Sequence, residues 1–205
     1  MKTLFNTAKK SSLVAIILLA SLFSMNASAA TVSADNGGSG TDIKKVVVTG
    51  NANVLIIQNV NESVTVDELD LDKVSLKQVG HTLTISSTEN SPVTVVVYVK
   101  DIYRIDASNK SNVKTVGKFN VKNLQVILKD DATARVKATT ESLYTVIDGH
   151  AKLELIGTSA SHIAKTAALA KLDTDKFAAL KTENINAPAN VAAVVTNVKA
   201  KQLTK

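Results

Sequence analysis

Ser111-Asn112-Val113, Ala134-Arg135-Val136, Ala151-Lys152-Leu153, Ala170-Lys171-Leu172 and Ala189-Asn190-Val191 carry one signature five times: a small residue, a polar one, then an aliphatic one. The aliphatic positions lie 23, 17, 19 and 19 residues apart. Small polar turns and β-branched runs flank them. A period of about 20 residues makes each unit one coil of a stack that buries its apolar side only against its neighbours. Ala52-Asn53-Val54 has the same signature, which extends the reading to the first half.

Upstream, Val46-Val47-Val48, Asn53 to Gln58 and Ser63 to Val66 are short β-branched runs, separated by Gly50-Asn51 and by Asn59 to Glu62. Val74 to Lys77 and Thr82 to Ile85 alternate on either side of Gly80-His81, a hairpin turn. Val93 to Val99 is a dense β run. Period two and β-branched enrichment favour strand over helix throughout. One stretch pulls the other way. Ile163 to Leu180 is rich in Ala, Leu and Lys, and local propensity alone makes it a helix. The spacing of 19 held on both sides makes it another rung, the reading adopted here. Pro188 falls in a turn between runs.

The N-terminus reads as a secretory signal. Lys2, Lys9 and Lys10 precede an apolar run from Leu13 to Phe23, and Ala27-Ser28-Ala29 is a small-x-small cleavage site. The run falls short of the roughly 20 residues that span a bilayer. No cysteine follows it, so a lipid anchor of the lipoprotein type is excluded, and no later segment is long enough to span as a helix. The expected organisation is a signal peptide over 1–29, a flexible linker over 30–42 containing Asn36 to Gly40, and a single domain over 43–205. Within that domain, 43–100 is an N-terminal β part and 101–205 the ladder. The expected location is exported: periplasmic, cell-surface or extracellular.

Signal removal takes 24 Lys+Arg against 18 Asp+Glu to 21 against 18, so the net charge drops from +6 to +3. That is ordinary for a soluble surface. The lysines are spread along the chain and form no stripe with interleaved aromatics, which argues against nucleic-acid binding. Without cysteine there is neither a disulfide nor thiolate chemistry. The aromatics of the mature part are Phe119, Phe177, Tyr98, Tyr103 and Tyr144, so small branched residues must fill the interior.

In this order, four features resemble a known family. They are the Val-x-Val opening with Asn53 to Gln58, the Val64-Thr65-Val66 strand leading into an acidic segment, Gly80-His81-Thr82-Leu83-Thr84-Ile85, and Ile102-Tyr103-Arg104-Ile105-Asp106-Ala107-Ser108. The family is "Putative auto-transporter adhesin, head GIN domain", common in exported bacterial proteins, and the likeness runs from Lys44 to Lys199. It implies an all-β fold, a right-handed single-stranded parallel β-helix (β-solenoid), and no established chemistry or functional residues. This chain departs from the family's glycine-bearing turns. Its turns read Ser108 to Ser111, Lys129 to Ala132, Asp148 to Ala151, Thr166 to Leu169 and Asn186 to Ala189, and of these only Gly149 keeps a glycine. Asn and Asp adopt the left-handed conformation at modest cost, whereas alanine does so poorly, so the last two turns should differ.

Candidate sites are few. Asp67, Glu68, Asp70 and Asp72 form the densest charge cluster; in a strand Glu68, Asp70 and Asp72 share one face, with Leu69 and Leu71 on the other. Oxygen ligands so spaced could hold calcium, but no EF-hand or β-roll calcium pattern accompanies them, and a solvated face or turn is the reading kept. His81, His150 and His162 show no zinc spacing; His81 and His150 lie at turns and read as exposed. Asp173 and Asp175, with Arg135 or a lysine on a neighbouring rung as an imagined partner, are the only candidates for a glycosidase or lyase centre, and nothing in their spacing demands one. No catalytic, cofactor or metal residue is therefore assigned, and no cofactor is expected. The expected function is a non-enzymatic adhesin-like or envelope-scaffold domain whose partner is a cell-surface glycan or envelope protein. The alternatives are a periplasmic polysaccharide- or lipid-binding module and, behind it, a β-helical carbohydrate-active enzyme. The last coil needs a cap against edge pairing. Lys199, Lys201 and Lys205 supply charge for one; otherwise that edge is a homo-oligomer contact.

Overall fold

The structure, a computed structural model, describes residues 29–32 and 42–186. Among these residues thirteen strands form one sheet. In chain order they are β1 (Ala29–Val32), β2 (Lys45–Gly50), β3 (Ala52–Gln58), β4 (Ser63–Asp67), β5 (Ser75–Val79), β6 (Thr82–Ser87), β7 (Val93–Val99), β8 (Arg104–Ala107), β9 (Asn112–Val116), β10 (Asn120–Leu128), β11 (Thr133–Ile147), β12 (Lys152–Thr166) and β13 (Lys171–Asn186). A 3-10 helix, Glu68–Lys73, lies between β4 and β5. Ala30, Thr31 and Val32, in the segment read as a flexible lead, belong to β1.

The sheet has two arms that meet on β11. One runs β1-β4-β7-β3-β9, the other β5-β6-β2-β8-β10. Thr133 to Arg135 of β11 pair with β9, and Thr139 to Ile147 pair with β10. The opposite edge of β11 takes β12 along its length, and β12 takes β13. Gln58 ties the arms together: its Nε2 donates to the Asn120 carbonyl (2.8 Å) and its Oε1 accepts from the Asn120 N–H (2.7 Å).

Burial in the long strands explains the curl. In β11, Ala134, Val136, Ala138 and Thr140 are buried, then the phase flips and Leu143, Thr145 and Ile147 are buried. Glu141 and Ser142 both face out at the flip. Two successive outward residues break the period of two, and the strand turns a corner there. β10 flips at Lys122-Asn123 and β12 at Ala160-Ser161, in register with it. The sheet thus curls into a half-barrel around one contiguous core. One arm lines it with Val66, Val95, Val54 and Val113, continued by Ala134 and Leu153. The other arm lines it with Leu83, Val46, Ile105 and Val126, continued by Thr145 and Ala164. Each fully buried Val, Leu or Ile contributes about 1.5–3 kcal/mol of transfer free energy.

Stacked turns close the other end of the long strands. The Ser111, Ala132, Ala151 and Ala170 N–H groups donate to the carbonyls three residues back, at 3.3, 3.1, 3.3 and 3.1 Å. Asn109 (φ 60°), Asp130 (φ 59°) and Gly149 (φ 65°) occupy the left-handed region. At Gly149 a β-carbon would sit 2.8 Å from the Asp130 carbonyl oxygen, so glycine is required by contact as well as by φ. Ala168 stays out of that region. The alanine turn therefore differs from its predecessors, as its composition predicts. The turn that follows Asn186 and the rung at Ala189-Asn190-Val191 lie outside the described residues, as do Pro188, Lys199, Lys201 and Lys205.

The expected right-handed single-stranded parallel β-helix is overturned. The sheet is mixed: β1 with β4, β4 with β7, and β5 with β6 are antiparallel. Its order also departs from chain order, since β3 lies between β7 and β9. The two-residue turn at Gly80-His81 is one physical reason, because a connection that short joins only antiparallel strands. The stack register needs correction as well. Val113 pairs with Ala134, not with the Val136 step inferred from the signature, and Ala134 pairs with Leu153. Leu153 pairs with Leu172, and Val54 pairs with Val113, as the signature suggests. Ile163 to Leu180 is strand, turn and strand rather than helix.

Candidate functional site

The acidic run is not a strand. Asp67 caps the 3-10 helix, its Oδ1 accepting from the Leu69 N–H at 3.0 Å. This local bond competes with ladder pairing and coils the next residues. Three residues per turn then disperse Glu68, Asp70 and Asp72 around the axis instead of aligning them on one face. Asp70 is engaged by Lys73 Nζ at 2.7 Å, and that hydrogen bond raises the lysine pKa. Among the described residues no three His, Asp or Glu side chains gather as a metal-holding group.

The histidines divide. His81 sits in the hairpin turn and His150 in the Asp148 to Ala151 turn; both are exposed, with His81 Nδ1 2.9 Å from the Asp42 carbonyl and His150 Nδ1 3.6 Å from Asp131 Oδ1. His162 is buried, at 2% exposure, on the inner face of β12. Its Nε2 lies 3.0 Å from Thr145 Oγ1, and its ring meets Phe177 edge-on at 5.3 Å. Burial lowers its pKa. Sequence reading left this residue without a role, though a signal existed: His162 lies 19 residues beyond Leu143, which lies 19 beyond Leu124, and the register pairs all three.

Asp173, Asp175 and Arg135 do not converge. Arg135 Nη1 donates to Glu154 Oε2 at 2.8 Å, and Lys176 Nζ approaches Glu154 Oε1 at 3.7 Å. Glu154 lies in register between Arg135 and Asp173. Asp173 Oδ1 instead accepts from the Asp175 N–H at 2.9 Å, where β13 bulges between the partners of Glu154 and Ile156. Sequence reasoning missed Glu154, the carboxylate that both cations hold.

Beside these residues a 670 Å³ groove opens at the β13 end of the half-barrel. It is lined by Ala134, Lys152, Leu153, Glu154, Ala170, Lys171, Leu172 and Asp173. Along β12, Leu153 points inward while its neighbours Lys152 and Glu154 point outward. The groove therefore combines aliphatic side chains with the charged Lys152, Glu154, Lys171 and Asp173. Farther along β11 and β12 the interior turns polar: Thr140 Oγ1 donates to Ser159 Oγ at 2.9 Å, and Ser159 Oγ donates to the Ser161 carbonyl at 2.7 Å. Among the described residues no helix is long and apolar enough to cross a membrane.

Comparisons with known proteins fit this geometry. The family model described as "Putative auto-transporter adhesin, head GIN domain" matches residues 42–202. A putative adhesin from Bacteroides fragilis NCTC 9343 has a similar structure, with a TM-score of 0.58 at 10% identity, over 71% of this chain and 74% of that one. A putative adhesin from Parabacteroides distasonis ATCC 8503 has a TM-score of 0.55 at 14% identity, over 77% of each chain. A putative lipid binding protein from the same strain has a TM-score of 0.50 at 14% identity, over 73% of this chain and 76% of that one. At such identities the likeness is one of fold. No curated protein matches the chain.

Proposed function

We propose, from the premise that this chain belongs to the putative auto-transporter adhesin, head GIN domain family, that it is an exported, non-enzymatic interaction domain that engages glycan or protein at the cell envelope. The observation that carries this reading is the family match over residues 42–202. The N-terminal pattern of Lys2 to Ala29 supports export, with cleavage after Ala29 and delivery to the periplasm or cell surface. Cell fractionation, with N-terminal sequencing of the recovered chain, tests it. A processed chain starting at Ala30 in the envelope or medium is the expected result. Unprocessed chain in the cytoplasm would sink the proposal.

A lipid-binding module is the second reading. It draws on the groove whose lining sets the aliphatic Ala134, Leu153, Ala170 and Leu172 beside the cations Lys152 and Lys171, and on the fold shared with the putative lipid binding protein. Native mass spectrometry of protein purified from its host separates the two. A co-purifying lipid favours the module, and lipid-free protein that still adheres to cells favours the adhesin.

A further inference from the structure

Lysines scattered through the sequence are gathered by the fold onto one wall. The outward side chains of β9, of the first half of β11 and of the matching parts of β12 and β13 stack in columns. One column is Asn112, Thr133, Lys152 and Lys171; the next is Lys114, Arg135, Glu154 and Asp173; beside them lie Lys137, Ile156 and Lys176. This wall holds six cations against the carboxylates of Glu154 and Asp173, with Asp175 exposed in the β13 bulge between Asp173 and Lys176. Glu154 is already held by Arg135 and Lys176. Lys114, Lys137, Lys152 and Lys171 are exposed, and none has an ion-pair partner among the described residues.

Two register pairs on this wall are like-charged: Lys152 with Lys171, and Lys114 with Arg135. Neighbouring strands are only about 4.8 Å apart, and like charges directly opposite each other destabilise a sheet. That cost is relieved when an anion lies across the columns. The corner beyond Thr140 separates this wall from the next, where Arg104 and Lys45 are matched by Asp106 at 2.7 and 2.9 Å. The basic columns of β9, β11, β12 and β13 thus lie on one face, interrupted on β13 by the bulge between the partners of Glu154 and Ile156.

We infer that this wall is the docking surface for an acidic polysaccharide lying across β9, β11, β12 and β13. The inference rests on the adhesin reading and supplies its ligand class. Lysine is a point charge without the fixed fork of arginine, which suits repeated carboxylate or phosphate groups on a flexible polymer. A membrane fits less well. Of the large exposed apolar residues, Val60, Leu69, Leu71, Val79, Tyr103, Leu169, Leu180 and Ile185, none belongs to the columns of this wall.

The test is titration of the purified full chain with polygalacturonate, neutral dextran, phosphatidylglycerol vesicles and duplex DNA. Polygalacturonate should bind and neutral dextran should not, and affinity should fall as salt rises. The K152E/K171E double variant should lose at least about tenfold, the scale of roughly 1.4 kcal/mol. K165E on the other wall should bind as the parent does. Circular dichroism confirms that each variant is folded. Absent binding, a double variant that binds normally, an equal loss in K165E, or preference for vesicles or DNA would each overturn the inference. If intact chain adheres to cells and the double variant adheres equally, the wall is excluded while the adhesin reading stands. If intact chain does not adhere at all, the adhesin reading itself fails.

Discussion

Gly157 sits at φ 110° on β12, where an added β-carbon would run into the Ala138 carbonyl oxygen of β11. Residues other than glycine in such regions cost about 1–3 kcal/mol before any clash is counted. Gly157→Ala should therefore lower the thermal midpoint measurably by calorimetry, whereas Gly80→Ala, at φ 55° with open space around it, should cost less. An equal effect at both sites would contradict the close approach of β12 to β11. His162 makes a different prediction. Its neighbours in the interior are Thr145 and Phe177, neither of them charged, and burial holds its pKa below the ordinary value. The unfolded chain takes up a proton at about pH 6.5, and the folded chain resists it. The stability given by neutral His162 is complete above that pH, and it is lost as the pH falls from there through the folded-state value. Urea midpoints measured from pH 7.5 downward should decline on the acid side, and less steeply in His162→Leu. Parallel slopes would rule out the assigned burial.

At the scale of the element, the core and the free strand should behave differently. Phe119 is 2% exposed, and Phe119→Ala should cost about 3–5 kcal/mol. Leu180, at 91% exposure on β13, should tolerate alanine within about 0.5 kcal/mol. Chemical denaturation of both variants measures this, and comparable losses would contradict the assigned faces. β11 and β12 are paired on both edges, while β13 pairs only with β12 among the described residues. Amide exchange should accordingly be slowest in β11 and fastest in β13. The strands themselves were legible in the sequence, because Val93 to Val99 is a dense β-branched run and Thr82 to Ile85 alternate as the structure buries them. The acidic run was not. Its alternation of acid and leucine mimics a strand, and only the Asp67 side chain decides for the 3-10 turn. Ile163 to Leu180 shows the opposite balance, since pairing to β11 and β12 overrides helix propensity.

For the whole molecule, the sequence carried the all-β class and the family but not the order of the sheet. Alternating short runs say which face is buried, not which neighbour lies alongside or in what direction. Val54 and Val113 are 59 residues apart and still adjacent in the sheet. The register error at Val136 has a plain origin. The inward rung position is occupied there by Ala134, whose small side chain carries no signal in a pattern built on large aliphatics. The basic wall was hidden for the same reason: Lys114, Lys137, Lys152 and Lys171 lie far apart in the chain and become neighbours only through strand register. The central structural claim is that two arms of a mixed sheet meet on β11, with antiparallel pairing in the first arm. Interstrand nuclear Overhauser effects on the isotope-labelled chain test it most directly. The account predicts contacts of Val113 with both Val54 and Ala134, and an antiparallel set linking Val64 to Val97 and Val66 to Val95. Contacts of Val113 with Val136 in its place, together with parallel pairing of β4 and β7, would contradict it.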